Sequence, residues 1–180
     1  MNESHTRKSI RLKDYDYSQN GVYYITLCIK NRREILGSLV GGDDHIAPQV
    51  ALSKYGMIVK KYIEGIGLHY QGVVVDKYII MPNHIHVIII LDKGVMWSSP
   101  PTNAAHAIIP EVIRSFKTLV TKEIGFSFWQ KSYYDHIVRD EEDYLTKWNY
   151  IDTNPAKWTE DEYYSSSFNE AGTEPFIRWE

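Results

Sequence analysis

An α+β fold with one antiparallel sheet is predicted by three features of the sequence. Short runs rich in β-branched and aromatic residues alternate with longer segments whose apolar residues recur at helical spacing. A tight Pro-Asn turn joins two of the runs directly, which makes an antiparallel hairpin. The predicted order is strand, helix, strand, strand, helix, strand and one further helix. This is the split β-α-β, or ferredoxin-like, arrangement, with helices on one face of the sheet and a C-terminal helix added.

The length of 180 residues predicts one domain with tails. We expect a single domain over residues 1–158, in which 1–20 form a basic arm and 21–158 the core. Residues 159–180 form an acidic tail that either packs over the site as a flap or is disordered. A single cysteine, Cys28, excludes an internal disulfide and suits a cytoplasmic protein. No apolar run reaches the ~18 residues of a membrane span, so no membrane partner is expected.

The first half of the chain predicts one strand and one helix. Residues 21–29 are β-branched and aromatic and predict the first strand. The stretch 37–50 is rich in glycine and aspartate and predicts a loop, with a short hairpin within 35–40. Apolar residues at helical spacing then predict a helix over about 52–66, which ends near Gly67.

The second half predicts three strands and two helices. Residues 72–80 and 84–91 are apolar strands joined by the Pro-Asn turn, and the second of them is central in the predicted sheet. A helix over 109–124 has a proline in its first turn. Residues 128–138 predict the fourth strand, and a last helix runs from the cap Asp140 to about residue 154.

Two histidines lie near the start of the central strand. Side chains alternate faces along a strand, so His84 and His86 point the same way, with Cα atoms ~7 Å apart. Two neutral imidazoles on one face can share a metal ion. Alternatively, both rings bond to neighbouring backbone or solvent, and the His-x-His pattern by itself does not decide between these interpretations.

The last helix presents polar groups away from its apolar stripe. The stripe consists of Tyr144, Leu145, Trp148, Ile151 and Pro155. On a helical wheel Tyr150 falls roughly 130° from the centre of this stripe. Asn154 lies one turn further along the same face, which also carries Asp143 and Lys147. Lys147 either stabilises a phenolate or contacts a nucleic-acid strand, or it is a solvated lysine.

These groups suit attack of a phenol on a phosphodiester. A phenol is a weak nucleophile unless its target is polarised or its proton removed. A divalent metal on His84 and His86 can polarise a phosphodiester, and Asn154 offers a carbonyl oxygen as third ligand. This ligand set predicts Mg²⁺ or Mn²⁺. Attack by Tyr150 would give a phosphotyrosine ester.

Four segments of the chain together match a known family. Residues 81–86 read Met-Pro-Asn-His-Ile-His, and residues 150–155 read Tyr-Ile-Asp-Thr-Asn-Pro. The first resembles the HUH motif of single-tyrosine transposases, and the second resembles the Tyr-Ile-x-x-Asn-Pro helix of their REP-associated branch. Residues 7–18 and 128–140 resemble the same branch. The resemblance covers about residues 7–158.

The resemblance implies a ferredoxin-like sheet and a divalent metal. It also implies cleavage and rejoining of single-stranded, hairpin-bearing DNA through a covalent 5′-phosphotyrosine. His84 and His86 resemble the metal ligands and Tyr150 the nucleophile. Asn154 stands where insertion-sequence members have a glutamine longer by one methylene. Related transposases include dimers that complete each site with a partner helix, whereas the REP-associated branch acts as monomers, so monomer and homodimer both stay open.

Further candidates concern DNA contact. The chain has a net charge of −3, but residues 159–180 carry six acids and one base, so residues 1–158 carry +2. Basic side chains that can contact phosphate are Arg7, Lys8, Arg11 and Lys13 in the arm and Arg114 and Lys117 on the second helix. The arm is equally consistent with a solvated terminus. His136 either orients a phosphate or metal-bound water, or makes a structural hydrogen bond.

Three functions follow from these features. The first is a metal-dependent DNA transesterase, that is, a transposase. The second is a non-catalytic module that binds hairpin DNA or RNA, such as a domesticated regulator. The third is a metal-dependent hydrolase in which water attacks instead of Tyr150. The presence of His84, His86, Tyr150 and Asn154 together favours the first.

Overall fold

A computed structural model of the chain describes residues 15–42, 47–92 and 108–164. Several predicted features lie outside these residues: the basic side chains Arg7, Lys8, Arg11 and Lys13, most of the loop predicted over 92–106, and residues 165–180 of the acidic tail. The division into a domain over 1–158 and a tail stays a prediction.

Four strands form the main sheet. They are β1 (Gly21–Cys28), β4 (Val73–Ile80), β5 (His84–Leu91) and β6 (Tyr134–Val138), and they lie in the order β4-β5-β1-β6 with all neighbours antiparallel. A separate two-stranded sheet pairs β2 (Gly37–Val40) with β3 (Gln49–Leu52). The helices are α1 (Lys54–Glu64), α2 (Ile66–His69), α3 (Ile108–Ile124) and α4 (Glu141–Thr153), with 3-10 helices at Lys30–Arg32 and Asn154–Glu160. The predicted ferredoxin-like order and the central position of β5 are confirmed.

Three predicted boundaries differ from the structure. The hairpin predicted within 35–40 is wrong, because β2 pairs with β3 across a longer connection. The fourth strand is shorter than the predicted range 128–138. Before β6 the pairing is limited to an isolated bridge between Trp129 and Ile29, the residue that follows β1. α1 begins at Lys54 because the Ser53 hydroxyl caps it, accepting hydrogen bonds from the backbone N–H groups of Tyr55 and Gly56.

The main sheet has two differently covered faces. Odd-numbered residues of β1 and β5, such as Ile25 and Val87, pack into the core beneath α1 and α3. Even-numbered residues point to the other face, where Thr26 lies directly opposite His86 in the register. Burial of each large aliphatic side chain contributes about 1.5–3 kcal/mol. The face beneath α1 and α3 therefore supplies most of the stability, and the opposite face carries the two histidines.

Helix α4 lies on the histidine face and is fixed there largely by polar contacts. A bulge in β4 between Val75 and Lys77 includes Asp76, whose carboxylate accepts a 2.7 Å hydrogen bond from Tyr144. Lys77 forms a 2.8 Å ion pair with Asp152. Leu145, predicted in the buried stripe, is instead 48% exposed, because only a narrow side of α4 meets the sheet.

Replacing Gly56 with alanine is expected to destabilise the fold by about 3 kcal/mol, as overpacking in a tight contact does. A Cβ atom there would lie 2.1 Å from the Leu36 carbonyl oxygen, and backbone cannot yield as a side chain does. The control is Gly65→Ala, whose Cβ would lie 3.4 Å from its nearest neighbour, the Lys61 carbonyl oxygen. Urea unfolding measures both; equal midpoints for the two variants would contradict the close approach of α1 to Leu36.

Candidate active site

The two histidines are buried and oriented through the same ring nitrogen. His84 and His86 are 0% and 2% exposed. His84 Nδ1 lies 2.8 Å from the Asn83 side-chain oxygen, and His86 Nδ1 lies 2.7 Å from the Tyr24 hydroxyl and 2.9 Å from that of Thr26. In both rings Nε2 is buried and has no hydrogen-bond partner in the described part of the chain. A ring fixed through Nδ1 with Nε2 left over is typical of a metal-binding histidine.

Both imidazoles are neutral at physiological pH. Burial lowers the pKa of His84 to about 4, although the negative charge of Asp161 opposes this effect. Burial also lowers the pKa of His86 well below its usual range, and the charge that His84 would carry when protonated, followed by that of Lys147, adds to the shift. A metal ligand must offer a free lone pair, so these shifts favour metal binding over protonation.

The low pKa values predict acid sensitivity of the fold. Below about pH 6.5 the unfolded chain takes up protons that the folded histidines refuse. The free energy of unfolding therefore falls between pH 7 and pH 5, by about 2 kcal/mol for His84 and in the same direction for His86. The loss continues until the folded pKa of about 4 for His84. Urea unfolding at several pH values is the measurement. The double variant His84→Gln, His86→Gln should show a shallower slope over this range, and parallel profiles would contradict the shifts.

Tyr150 and Asn154 lie over the histidines within the same chain. The Tyr150 ring centroid is 5.2 Å from that of His86 and 6.4 Å from that of Tyr24. Tyr150 is 37% exposed, whereas Asn154 is 1% exposed. The buried carbonyl oxygen of Asn154 has no hydrogen-bond partner among the described residues. The structure thus brings together all four residues that the sequence singled out, and three of them keep a buried atom suited to a metal.

The Tyr150 hydroxyl is protonated at neutral pH. This hydroxyl donates a 2.9 Å hydrogen bond to Asp161 Oδ2. Burial, followed by the hydrogen bond and charge of Asp161, raises the pKa of Tyr150 above its usual value. The phenol therefore becomes a useful nucleophile only when its target is made electrophilic or its proton is drawn away.

Asp161 is the site residue that the sequence analysis missed. Its carboxylate accepts a 2.7 Å hydrogen bond from the Asn154 amide as well as the one from Tyr150. The potential ligand atoms of His84, His86 and Asp161 all lie within 4.8 Å of one another. In the sequence Asp161 is one of six acids in the predicted tail, and no spacing or periodicity separates it from the others.

A cavity of about 450 Å³ opens beside Tyr150. Its lining includes His86, Asn154 and two lysines, Lys147 and Lys157. The Lys147 ammonium lies 5.4 Å from the centre of the Tyr24 ring, and its role as an auxiliary residue stays a prediction. Lys157 was not predicted. The same lining also holds the carboxylates of Glu160, Asp161 and Glu162, so side chains of both charges border this cavity.

The other predicted candidates lie apart from this cavity. His136 Nε2 is 2.7 Å from the Asp143 carboxylate, a pair that fastens the first turn of α4 to β6. Arg114 is exposed on α3, in the helix layer on the opposite face of the sheet. Lys117 donates a 2.6 Å hydrogen bond to the Gln130 carbonyl oxygen, so its ammonium supports a loop.

The fold is shared with a DNA-processing protein. A structure of a REP-associated tyrosine transposase bound to a REP hairpin superposes with a TM-score of 0.59 and 21% identity, over 82% of this chain and 73% of that one. A putative transposase from Deinococcus radiodurans R1 gives a TM-score of 0.44 at 15% identity, over 79% and 97% of the two chains. The first of these superpositions confirms the predicted ferredoxin-like fold.

Sequence similarity gives the family. The chain is 36% identical over 176 residues to an uncharacterized protein of Haemophilus influenzae (strain ATCC 51907 / DSM 11121 / KW20 / Rd). The matched region covers 89% of this chain and 94% of that protein. The chain belongs to the same family as that protein. No protein-family model matches the chain. Across the described ranges, no helix combines the length and apolar character needed to cross a membrane.

Proposed function

We propose that this protein is a transposase, a single-tyrosine HUH enzyme that cleaves and rejoins single-stranded DNA bearing hairpins. The observation that carries the proposal is the position of Tyr150 beside two histidines whose buried Nε2 atoms have no partner in the described residues. A nucleophile next to a prepared metal site is the minimum that DNA transesterification requires. The shared fold supports this proposal.

The residues present fit a divalent metal. His84 Nε2, His86 Nε2 and Asn154 Oδ1 are buried acceptors without partners in the described part of the chain, and burial without a partner is costly. These three residues would hold a divalent cation, for which we propose Mg²⁺ or Mn²⁺, with oxygen atoms of the substrate filling the open positions. When bound, the cation would polarise the scissile phosphodiester and fix its orientation.

Tyr150 would then carry the covalent step. Its Oη would attack the phosphorus, and the bond from phosphorus to the 3′ oxygen would break with its electron pair leaving on that oxygen. The 3′ oxygen would take up a proton from solvent, leaving a free 3′-hydroxyl and a 5′-phosphotyrosine. The hydroxyl proton already lies on a hydrogen bond to Asp161 Oδ2, which gives it a route away from the nucleophile. The phosphotyrosine ester conserves the bond energy, so a 3′-hydroxyl can reverse the step and rejoin the strand.

The proposed substrate follows from the protein that shares this fold and from the basic side chains of the N-terminal arm. The relative was solved bound to a REP hairpin. For this chain we propose hairpin DNA as well, with Arg7, Lys8, Arg11 and Lys13 contacting its backbone. Nucleophile and ligands come from one chain, so a monomer has every proposed group. A cytoplasmic location would give it access to DNA.

A denaturing gel separates the three candidate functions. The protein is incubated with single-stranded hairpin DNA labelled at its 3′ end, with Mn²⁺ or Mg²⁺ or with a chelator. A transposase gives a labelled adduct that survives denaturation and disappears with the chelator. Hairpin binding in a native gel without cleavage at either metal would instead indicate a binding module, and cleavage without any adduct would indicate a hydrolase.

A further inference from the structure

Asp161 belongs to the metal site as well as to the tyrosine. In the described part of the chain one group of three potential ligand side chains comes together, and it consists of His84, His86 and Asp161. We propose that Asp161 is a further protein ligand of the metal and supplies the negative charge of the site. This inference rests on the proposed function, because it concerns the metal that His84, His86 and Asn154 would hold.

The geometry of Asp161 permits ligation. Donors at about 2.0–2.2 Å from a small divalent cation lie no more than about 4.4 Å apart. The three ligand atoms lie within 4.8 Å of one another, so a shift of a few tenths of an ångström, about the size of ordinary side-chain motion, suffices. Asp161 accepts hydrogen bonds from Tyr150, Asn154 and the backbone N–H of Tyr163. A carboxylate has about four lone-pair sites, so one is left for a cation.

Charge balance favours the same assignment. The two imidazoles and the Asn154 amide are neutral donors, so without Asp161 a dication would stand uncompensated in a buried place. The positive charges of Arg32 and Lys147 act on His84 and His86 respectively and would oppose a cation too. Asp161 is half-buried, and its negative charge favours a positive charge at His84, the opposite of the effect of Arg32. A carboxylate at this position therefore makes cation binding favourable.

Asn83 connects Asp161's segment to the histidine strand. Its side-chain oxygen lies 2.8 Å from His84 Nδ1, and its amide donates a 2.9 Å hydrogen bond to the Tyr163 carbonyl oxygen. Asn83 is 1% exposed, so both contacts are protected from water. A single buried side chain thus orients His84 and holds the turn that carries Asp161. The first residues of the acidic segment are in this way part of the site.

Calorimetric titration of the full-length protein with Mn²⁺ alone, without DNA, tests the inference. Asp161→Asn keeps the shape but removes the charge and one of the two accepting oxygens, and it should weaken Mn²⁺ binding at least about tenfold. Glu160→Gln is the matched control, since Glu160 lines the same cavity and loses the same charge. Its affinity should stay within about twofold of wild type, by the weak effect of exposed charges.

The outcomes separate the two proposals. Asp161→Asn with wild-type or tighter Mn²⁺ binding, alongside a loss in His86→Ala, would overturn the Asp161 assignment and leave the histidine site standing. Wild-type affinity in His86→Ala would overturn the proposed function itself. Asp161→Glu keeps the charge and should bind more tightly than Asp161→Asn. Equal weakness of these two variants would show that the carboxylate charge is not what binds the cation.

Discussion

Tyr150→Phe is expected to abolish the covalent protein–DNA adduct and to slow strand cleavage at least about a thousandfold, as loss of an attacking group does. The substitution removes one oxygen, and the ring keeps its edge-on contact with His86. Hairpin binding should therefore stay within about twofold of wild type, because that oxygen bonds to side chains of the site itself, Asp161 and Asn154. Single-turnover cleavage of labelled hairpin DNA and a native-gel binding assay give the two quantities.

Tyr144→Phe is the control on the same helix. Its hydroxyl donates to Asp76 rather than to the site, at 2.7 Å. It should retain the adduct and most of the cleavage rate. If Tyr150→Phe still forms the adduct, another residue is the nucleophile, and Tyr134, which is 46% exposed on β6, would be the next to test.

Replacing either histidine with alanine is expected to weaken Mn²⁺ binding by at least about a hundredfold. Removing a residue that merely hydrogen-bonds to a metal ligand already lowers metal affinity about tenfold to a hundredfold, and here the ligand itself is lost. Cleavage should fall with it, because the phosphodiester would no longer be polarised. Calorimetry with Mn²⁺ measures the first effect and the gel assay the second. His69→Ala is the control, since His69 is exposed at the end of α2, under the opposite face of the sheet.

Two outcomes would argue against the metal site. Cleavage of unchanged rate in His84→Ala and His86→Ala would mean that the reaction needs no metal on these residues. Loss of cleavage with unchanged Mn²⁺ affinity would place the metal elsewhere. Because both side chains are nearly fully buried, urea unfolding of each variant must accompany the assay.

The parts of the fold that the sequence predicts are those specified by local pattern. The alternation around His84 and His86 placed both rings on one face, and the cap at Asp140 placed the start of α4. The helical wheel separated Tyr150 from the apolar stripe, and the structure points its ring at His86. Leu145 shows the limit of that method, since a wheel cannot tell how wide a strip the sheet will cover.

The features that the sequence does not predict depend on contacts between distant segments. The pairing of β2 with β3 depends on a connection that carries no tight-turn signal. Asp161 reaches the site only because the 3-10 helix after Asn154 turns the chain back toward Asn83. Neither its charge nor its spacing distinguishes it from Glu160 or Glu162, which line the same cavity.

Peptide mapping of the adduct tests the central proposal most directly. The protein is reacted with hairpin DNA and Mn²⁺, the DNA is trimmed with nuclease, and the protein is cut with trypsin. Cleavage after Lys147 and Lys157 gives a peptide of residues 148–157 in which Tyr150 is the one tyrosine. Mass spectrometry should find the nucleotide on this peptide. A nucleotide on any other tyrosine peptide, or DNA cleaved with all tyrosine peptides unmodified, would contradict the assignment of Tyr150 as the nucleophile.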